Sequence, residues 1–116
     1  MLLNIEKQQA ANGVVVLKLS GRISLGRDSQ QIEWQVNDLL KENHNRVVFD
    51  LTDVSHMDST GIGILMMCTA RLKKAGGDLR VAGAQGLVGD VLRITKVDSI
   101  VGLHPTAAEA AKAFDA

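Results

Sequence analysis

Arg46 to Leu51 (RVVFDL), a continuous apolar run bracketed by charge, constrains this chain more than any other stretch. A strand of that kind reads as buried on both faces, the condition of a parallel strand covered by helices. The flanking segments supply the helices. From about Ser29 to Asn43, Ile32, Val36, Leu39 and Leu40 recur at i, i+4, i+7 and i+8, one face of a helix. A second helix is predicted from Ser59 or Thr60 to Ala75, stopped by Gly76-Gly77 in C-cap positions. Leu79 to Ala82 is a short strand, and Leu87, Val88, Val91 and Leu92 mark a third helix. Ser99 to Leu103 reads as a last short strand. Thr106-Ala107-Ala108-Glu109, after Pro105, is a capping-box pattern that opens a terminal helix with Ala110, Ala111 and Phe114 on one face.

Ahead of the central run, residues 2–9 alternate weakly and Val14 to Ser20 is β-branched and apolar, with the turn signal Asn12-Gly13 between them. These two strands should pair antiparallel. Gly21 to Asp28 is predicted as loop and Thr52 to Ser59 as a polar connection. The order is β-β-α-β-α-β-α-β-α. It predicts an α/β domain on the α+β border, a single mixed sheet of about four or five strands with about four helices packed on it. Residues 1–116 should form one domain, since a chain of 116 residues is short for two cores.

Charge and composition exclude several functions. Thirteen basic residues balance thirteen acidic ones, which leaves no basic face for nucleic acid and no polybasic membrane anchor. With no tyrosine, one tryptophan and two phenylalanines, base-stacking platforms are nearly excluded. The longest nearly apolar stretch, Gly61 to Ala70, has ten residues, far short of the roughly 20 that a membrane span needs. Met1-Leu2-Leu3 runs at once into Asn4, Glu6 and Lys7, so no secretory signal is read. Cys68 is the only cysteine and suits a reducing, cytoplasmic setting. One cysteine and the scattered His44, His56 and His104 give no zinc-ligand spacing, and neither metal nor cofactor is expected.

Chemistry concentrates where the buried strand leads into the second helix: Phe49-Asp50-Leu51-Thr52-Asp53-Val54-Ser55-His56-Met57-Asp58-Ser59-Thr60-Gly61-Ile62-Gly63. Asp58, Ser59 and Thr60 sit at a helix N-terminus, where unpaired N–H groups and the dipole favour an anion, phosphate included. The same three residue types are also favoured helix caps, and local chemistry alone leaves both readings open. Enzymatic readings fail on spacing. A nucleophile elbow needs glycine two before the serine, where Met57 stands. No Gly-Lys precedes a Ser or Thr, as a phosphate loop requires. Gly83, Gly86 and Gly89 do not make the dinucleotide fingerprint, and Asp50, Asp53 and Asp58 are better read as solvated or hydrogen-bonded than as a magnesium cluster.

Val47-Val48-Phe49-Asp50-Leu51-Thr52-Asp53-Val54, continued by Met57-Asp58-Ser59-Thr60-Gly61-Ile62-Gly63-Ile64-Leu65, resembles the signature of anti-sigma-factor antagonists. That is the STAS domain, shared with the cytoplasmic tails of sulphate transporters. The resemblance extends over essentially the whole chain and is most specific in Asp-Ser-Thr-Gly-Ile-Gly. It implies that Ser59 is phosphorylated by a serine kinase that doubles as the anti-sigma factor. It further implies that the unphosphorylated protein binds this factor and frees a sigma factor, and that a metal-dependent phosphatase of the PP2C type resets the switch. Asp58 then belongs to the surface meeting the kinase, and Thr60 is the neighbouring hydroxyl. Gly21-Arg22-Ile23-Ser24 departs from the family, standing where many antagonists carry Gly-Glu-Leu-Asp.

On the second helix Ile62, Leu65, Met66 and Thr69 share the expected core face, while Ile64, Met67 and Arg71 project elsewhere. That second stripe suits a partner groove beside Ser59, or else packs against a neighbouring helix. Gly61 and Gly63 remove side chains where helix and sheet approach, and Trp34 lies opposite the apolar stripe of its own helix. A non-enzymatic binding module is therefore expected, with Asp58, Ser59, Thr60, Gly61, Arg22, Ser24, Ile64 and Met67 at its functional surface. The alternatives are a STAS accessory subunit of a membrane transport ATPase, without phosphorylation, and a small α/β enzyme. The last lacks a base, nucleophile and orienting group.

Overall fold

The computed structural model describes residues 3–24 and 27–115. Leu2 of the first alternating segment, and Leu25 and Gly26 of the expected loop, lie outside them. A five-stranded sheet has the order β1-β2-β3-β4-β5. Its strands are β1 (Asn4–Gln9), β2 (Val15–Ile23), β3 (Arg46–Met57), β4 (Asp78–Ala82) and β5 (Gly102–His104). β1 and β2 pair antiparallel, and the other pairs are parallel. Four α-helices, α1 (Arg27–Lys41), α2 (Ser59–Lys74), α3 (Gly86–Ile94) and α4 (Ala107–Lys112), complete the mixed α/β domain that the alternation predicts.

The hairpin forms as expected around Asn12 and Gly13, both at positive φ (66° and 76°). The RVVFDL run is buried from both sides. Val47, Phe49 and Leu51 face the main core under α1, α2 and α3. Val48 faces a second, smaller core that α4 closes with Ala110 and Ala111. Gly77 shows how tightly α2 must turn into β4: a Cβ there would lie 1.8 Å from the Asn45 carbonyl oxygen.

Two expected loops turn out to be strand. β2 continues through Gly21-Arg22-Ile23, and β3 through Thr52 to Met57, so the two strands climb together past the rest of the sheet. The register explains why the pattern was hidden. Lys18 pairs with Asp50 but Ser20 with Asp53, and Gly21 pairs with Val54 but Arg22 with His56. β3 thus carries an extra residue twice, and each bulge resets the inward face. Leu51, Val54 and Met57 point inward at intervals of three rather than two, with exposures of 1%, 7% and 8%. Smaller shifts affect α1, which begins and ends two residues earlier than predicted, and β5, which includes His104.

Candidate functional site

The β2–β3 ribbon ends where α2 begins, and that junction collects most of the polar residues of the central stretch. The Asp58 N–H donates to the Ile23 carbonyl at 3.2 Å, holding the two strands together up to the last residue before the helix. Asp58 is the N-cap of α2, in extended conformation (φ −107°, ψ −171°). Its Oδ1 accepts from the Thr60 N–H at 2.9 Å and the Gly61 N–H at 3.2 Å. Two donors of the first turn are thereby satisfied by a carboxylate that the helix dipole also favours.

Ser59 is the first residue of α2, and its side chain is exposed. Thr60 is half-buried and Gly61 is buried. Gly61 is the point of closest approach between helix and ribbon. A Cβ there would meet Met57 Cγ at 2.7 Å, and Ile23 Cγ2 and the Ile23 carbonyl oxygen at 2.9 Å each. The exposed serine is therefore held at a fixed height above the β2–β3 ends by a residue without a side chain.

Arg22 and His56 pair in register on the ribbon, and both are exposed. Ser55 Oγ donates to the Gly21 carbonyl at 3.2 Å and lies 2.9 Å from His56 Nδ1. Ser24 follows Ile23 and is half-buried. Its N–H donates to Ser29 Oγ at 3.1 Å, and the Ser29 hydroxyl donates back to the Ser24 carbonyl. Ser29, only 2% exposed, entered the sequence reading only as the start of a helix. A serine two residues inside a helix gives no signal that it will close the preceding loop.

The stripe on α2 separates into two environments. Ile64 is 9% exposed and belongs to the main core, contrary to the outward position that would suit a partner groove. The buried residues of α2 are Gly61, Ile64, Leu65, Cys68, Thr69 and Leu72, a face rotated toward Ile64 from the one predicted. The cause is α1, which packs along that side. Arg71 reaches it, binding Glu33 at 2.9 Å and Asn37 at 3.0 Å, with Met67 Sδ 3.3 Å from the same guanidinium. Met67 is half-buried in this contact, so its stripe mainly joins two helices. Trp34, on the far side of α1, is 54% exposed. Burial pushes the Cys68 thiol up to about 12, well above reactive range.

A second polar feature lies lower on the sheet. A cleft of about 380 Å³ is bounded by Asp50, Thr52, Gln85 and Thr106. Asp50 Oδ1 accepts there from the Thr52 N–H and hydroxyl at 3.0 and 2.6 Å. Among the described residues, no group of three His, Cys, Asp or Glu side chains could hold a metal ion, and no helix is long and apolar enough to cross a membrane.

The chain thus forms a mostly parallel sheet led by an antiparallel hairpin, with an aspartate-capped serine opening the helix after its central strand. The STAS domain profile matches residues 4–110, and the chain belongs to the STAS domain family. It is 26% identical over 97 residues to a Thermotoga neapolitana protein provisionally described as an anti-sigma factor antagonist, which covers 84% of this chain and 86% of the relative. Its fold is shared with an anti-sigma factor antagonist from Mycobacterium paratuberculosis (TM-score 0.86, 23% identity, covering 98% of this chain and 95% of that one). It is shared also with the Bacillus cell fate determinant SpoIIAA in its phosphorylated form (TM-score 0.71, 17% identity, covering 92% and 96%).

Proposed function

We propose that this protein is an anti-sigma-factor antagonist, a non-enzymatic cytoplasmic binding module whose affinity for its partner is set by phosphorylation of Ser59. Unphosphorylated, it binds an anti-sigma factor that is also a serine kinase, and a sigma factor is released. The kinase moves the γ-phosphoryl group of ATP to Ser59 Oγ: an O–P bond forms, the bond to ADP breaks, and a base on the kinase takes the hydroxyl proton. A phosphatase of the PP2C type returns the serine. The description of the Thermotoga neapolitana relative supports the assignment, and family membership supports the domain type.

The observation that carries the reading is the exposed Ser59 at the first position of α2, directly after an aspartate cap and above a glycine that fixes its height. A phosphate adds about −1.5 to −2 charges and three acceptor oxygens. At this position it protrudes from the surface, so the fold tolerates it while a partner shaped for a neutral hydroxyl does not. Asp58, Thr60 and Gly61 form the immediate rim of the contact, with Arg22 and Ser24 at its ribbon edge. Ile64 supports this surface from below, and Met67 contributes only its exposed part.

The test is incubation with a candidate anti-sigma serine kinase from the same organism and ATP, followed by mass-spectrometric mapping. A single phosphate on Ser59, absent from Ser59→Ala, is the expected result. Labelling of the alanine variant would move the site to Thr60 or beyond. No transfer, with kinase binding retained, would leave a constitutive antagonist.

A further inference from the structure

Two backbone donors of the first turn of α2, the N–H groups of Thr60 and Gly61, are already in use. Asp58 Oδ1 takes both, so a phosphate on Ser59 does not inherit the usual anion site of a helix N-terminus and meets a carboxylate there instead. A charged side chain is the stronger source of compensation. Strand register brings Arg22 into this neighbourhood: it pairs with His56, three residues before Ser59. Adjacent strands lie about 4.8 Å apart, and three residues of extended chain span at most about 10 Å. A guanidinium on its four-bond stem and a phosphoserine can meet across that gap. Arg22 is exposed and, among the described residues, has no hydrogen bond or ion pair, whereas Lys18, further down the same strand, is engaged with Asp53 at 3.5 Å.

We infer that Arg22 is the phosphate clamp of this protein: once Ser59 is phosphorylated, the Arg22 guanidinium folds over the end of the ribbon and pairs with the phosphate dianion. The inference rests on the reading of Ser59 as the modified residue. It assigns Arg22 two states, free to meet a partner when Ser59 is a hydroxyl and withdrawn into an internal ion pair when it is a phosphate. Phosphorylation then does more than add a repelling charge, because it also removes a cation from the binding rim. Planar, bidentate pairing with phosphate oxygens suits arginine better than lysine.

The experiment installs phosphoserine at position 59 during translation, so no kinase is needed, and follows the phosphate by ³¹P NMR against pH in the otherwise wild-type chain, Arg22→Gln and Arg22→Lys. A cation held against the phosphate favours its dianion, so Arg22→Gln should raise the second phosphate pKa by roughly half a unit or more, with Arg22→Lys recovering part of the difference. High salt should shrink the gap. Coincident titration curves for the three proteins would overturn the clamp. Affinity of the same samples for the candidate anti-sigma kinase is a separate readout. Equal binding of the phosphorylated and unphosphorylated chains would sink the switch reading whatever the titrations show.

Discussion

The N-termini of α2 and α4 are built with the same local chemistry and stand in different surroundings. Asp58 caps α2 through bonds of 2.9 and 3.2 Å, and Thr106 caps α4 by accepting from the Glu109 N–H at 3.1 Å. After Thr106 come Ala107 and Ala108, and α4 lies down to close the smaller core. After Asp58 comes an exposed serine, and α2 starts above a pair of bulged strands with Arg22 and His56 on their outer edge. A cap marks where a helix begins; what surrounds the residue after it decides whether the start is also a site.

The largest effects should come from what holds the α2 start in place. Gly61→Val drives side-chain atoms into Met57 and the Ile23 carbonyl, and overpacking of that kind costs about 1–3 kcal/mol or more, read as a lowered urea midpoint. Ile64→Ala should cost about 2–5 kcal/mol, as buried aliphatic truncations do, while Met67→Ala should cost clearly less. If Met67 proves the more damaging of the two, the core face of α2 has been assigned the wrong way round.

Charge at the two helix starts separates function from stability. Ser59→Asp and Ala107→Asp each place a carboxylate near a dipole that favours it, typically by about 0.3–1 kcal/mol, so both variants should melt within a few degrees of wild type. Only Ser59→Asp should weaken binding of the anti-sigma partner, by several kcal/mol in calorimetry. With Ser59→Asn as the neutral control, equal affinities of the Asp and Asn variants would remove charge exclusion from the mechanism. Loss of either cap, Asp58→Ala or Thr106→Ala, should cost about 1 kcal/mol. A much larger loss at Asp58 would show that its carboxylate holds more than the first turn of α2.

The smallest effect belongs to the α4 side and has a definite sign. His104 Nε2 lies 3.3 Å from Arg80 Nη1, and Arg80 stacks 5.1 Å from the Phe114 ring centroid. Partial burial and then the Arg80 charge lower the His104 pKa from its ordinary 6.5. The unfolded chain therefore binds this proton at a higher pH than the folded one. Its contribution to stability is present above pH 6.5 and is lost as the pH falls through the depressed folded value. His104→Gln should flatten that part of the stability–pH curve. An unchanged slope would assign the acid sensitivity to other groups.

Much of this was legible in advance because it depends on short-range rules. The RVVFDL run, the Asn12-Gly13 hairpin, the alternation of helices and strands, and the caps at Asp58 and Thr106 each follow from the preferences of a few neighbouring residues. Position 59 stood out as a helix-start serine for the same reason. The β2–β3 extension did not, since two bulges in β3 stretch its inward positions, Leu51, Val54 and Met57, to a spacing that matches no regular strand.

By itself, then, the sequence determined the class of fold, the order of its elements and the start of α2 to within one residue, all consequences of periodicity and capping within a few turns of chain. Only the tertiary structure decided which face of α2 is buried, because α1 settles against the Ile64–Met67–Arg71 side through Glu33 and Asn37, more than thirty residues away in sequence. It alone decided that Arg22 and His56 stand side by side below Ser59, because parallel register is set by the packing of the strands' buried faces and by where the bulges fall.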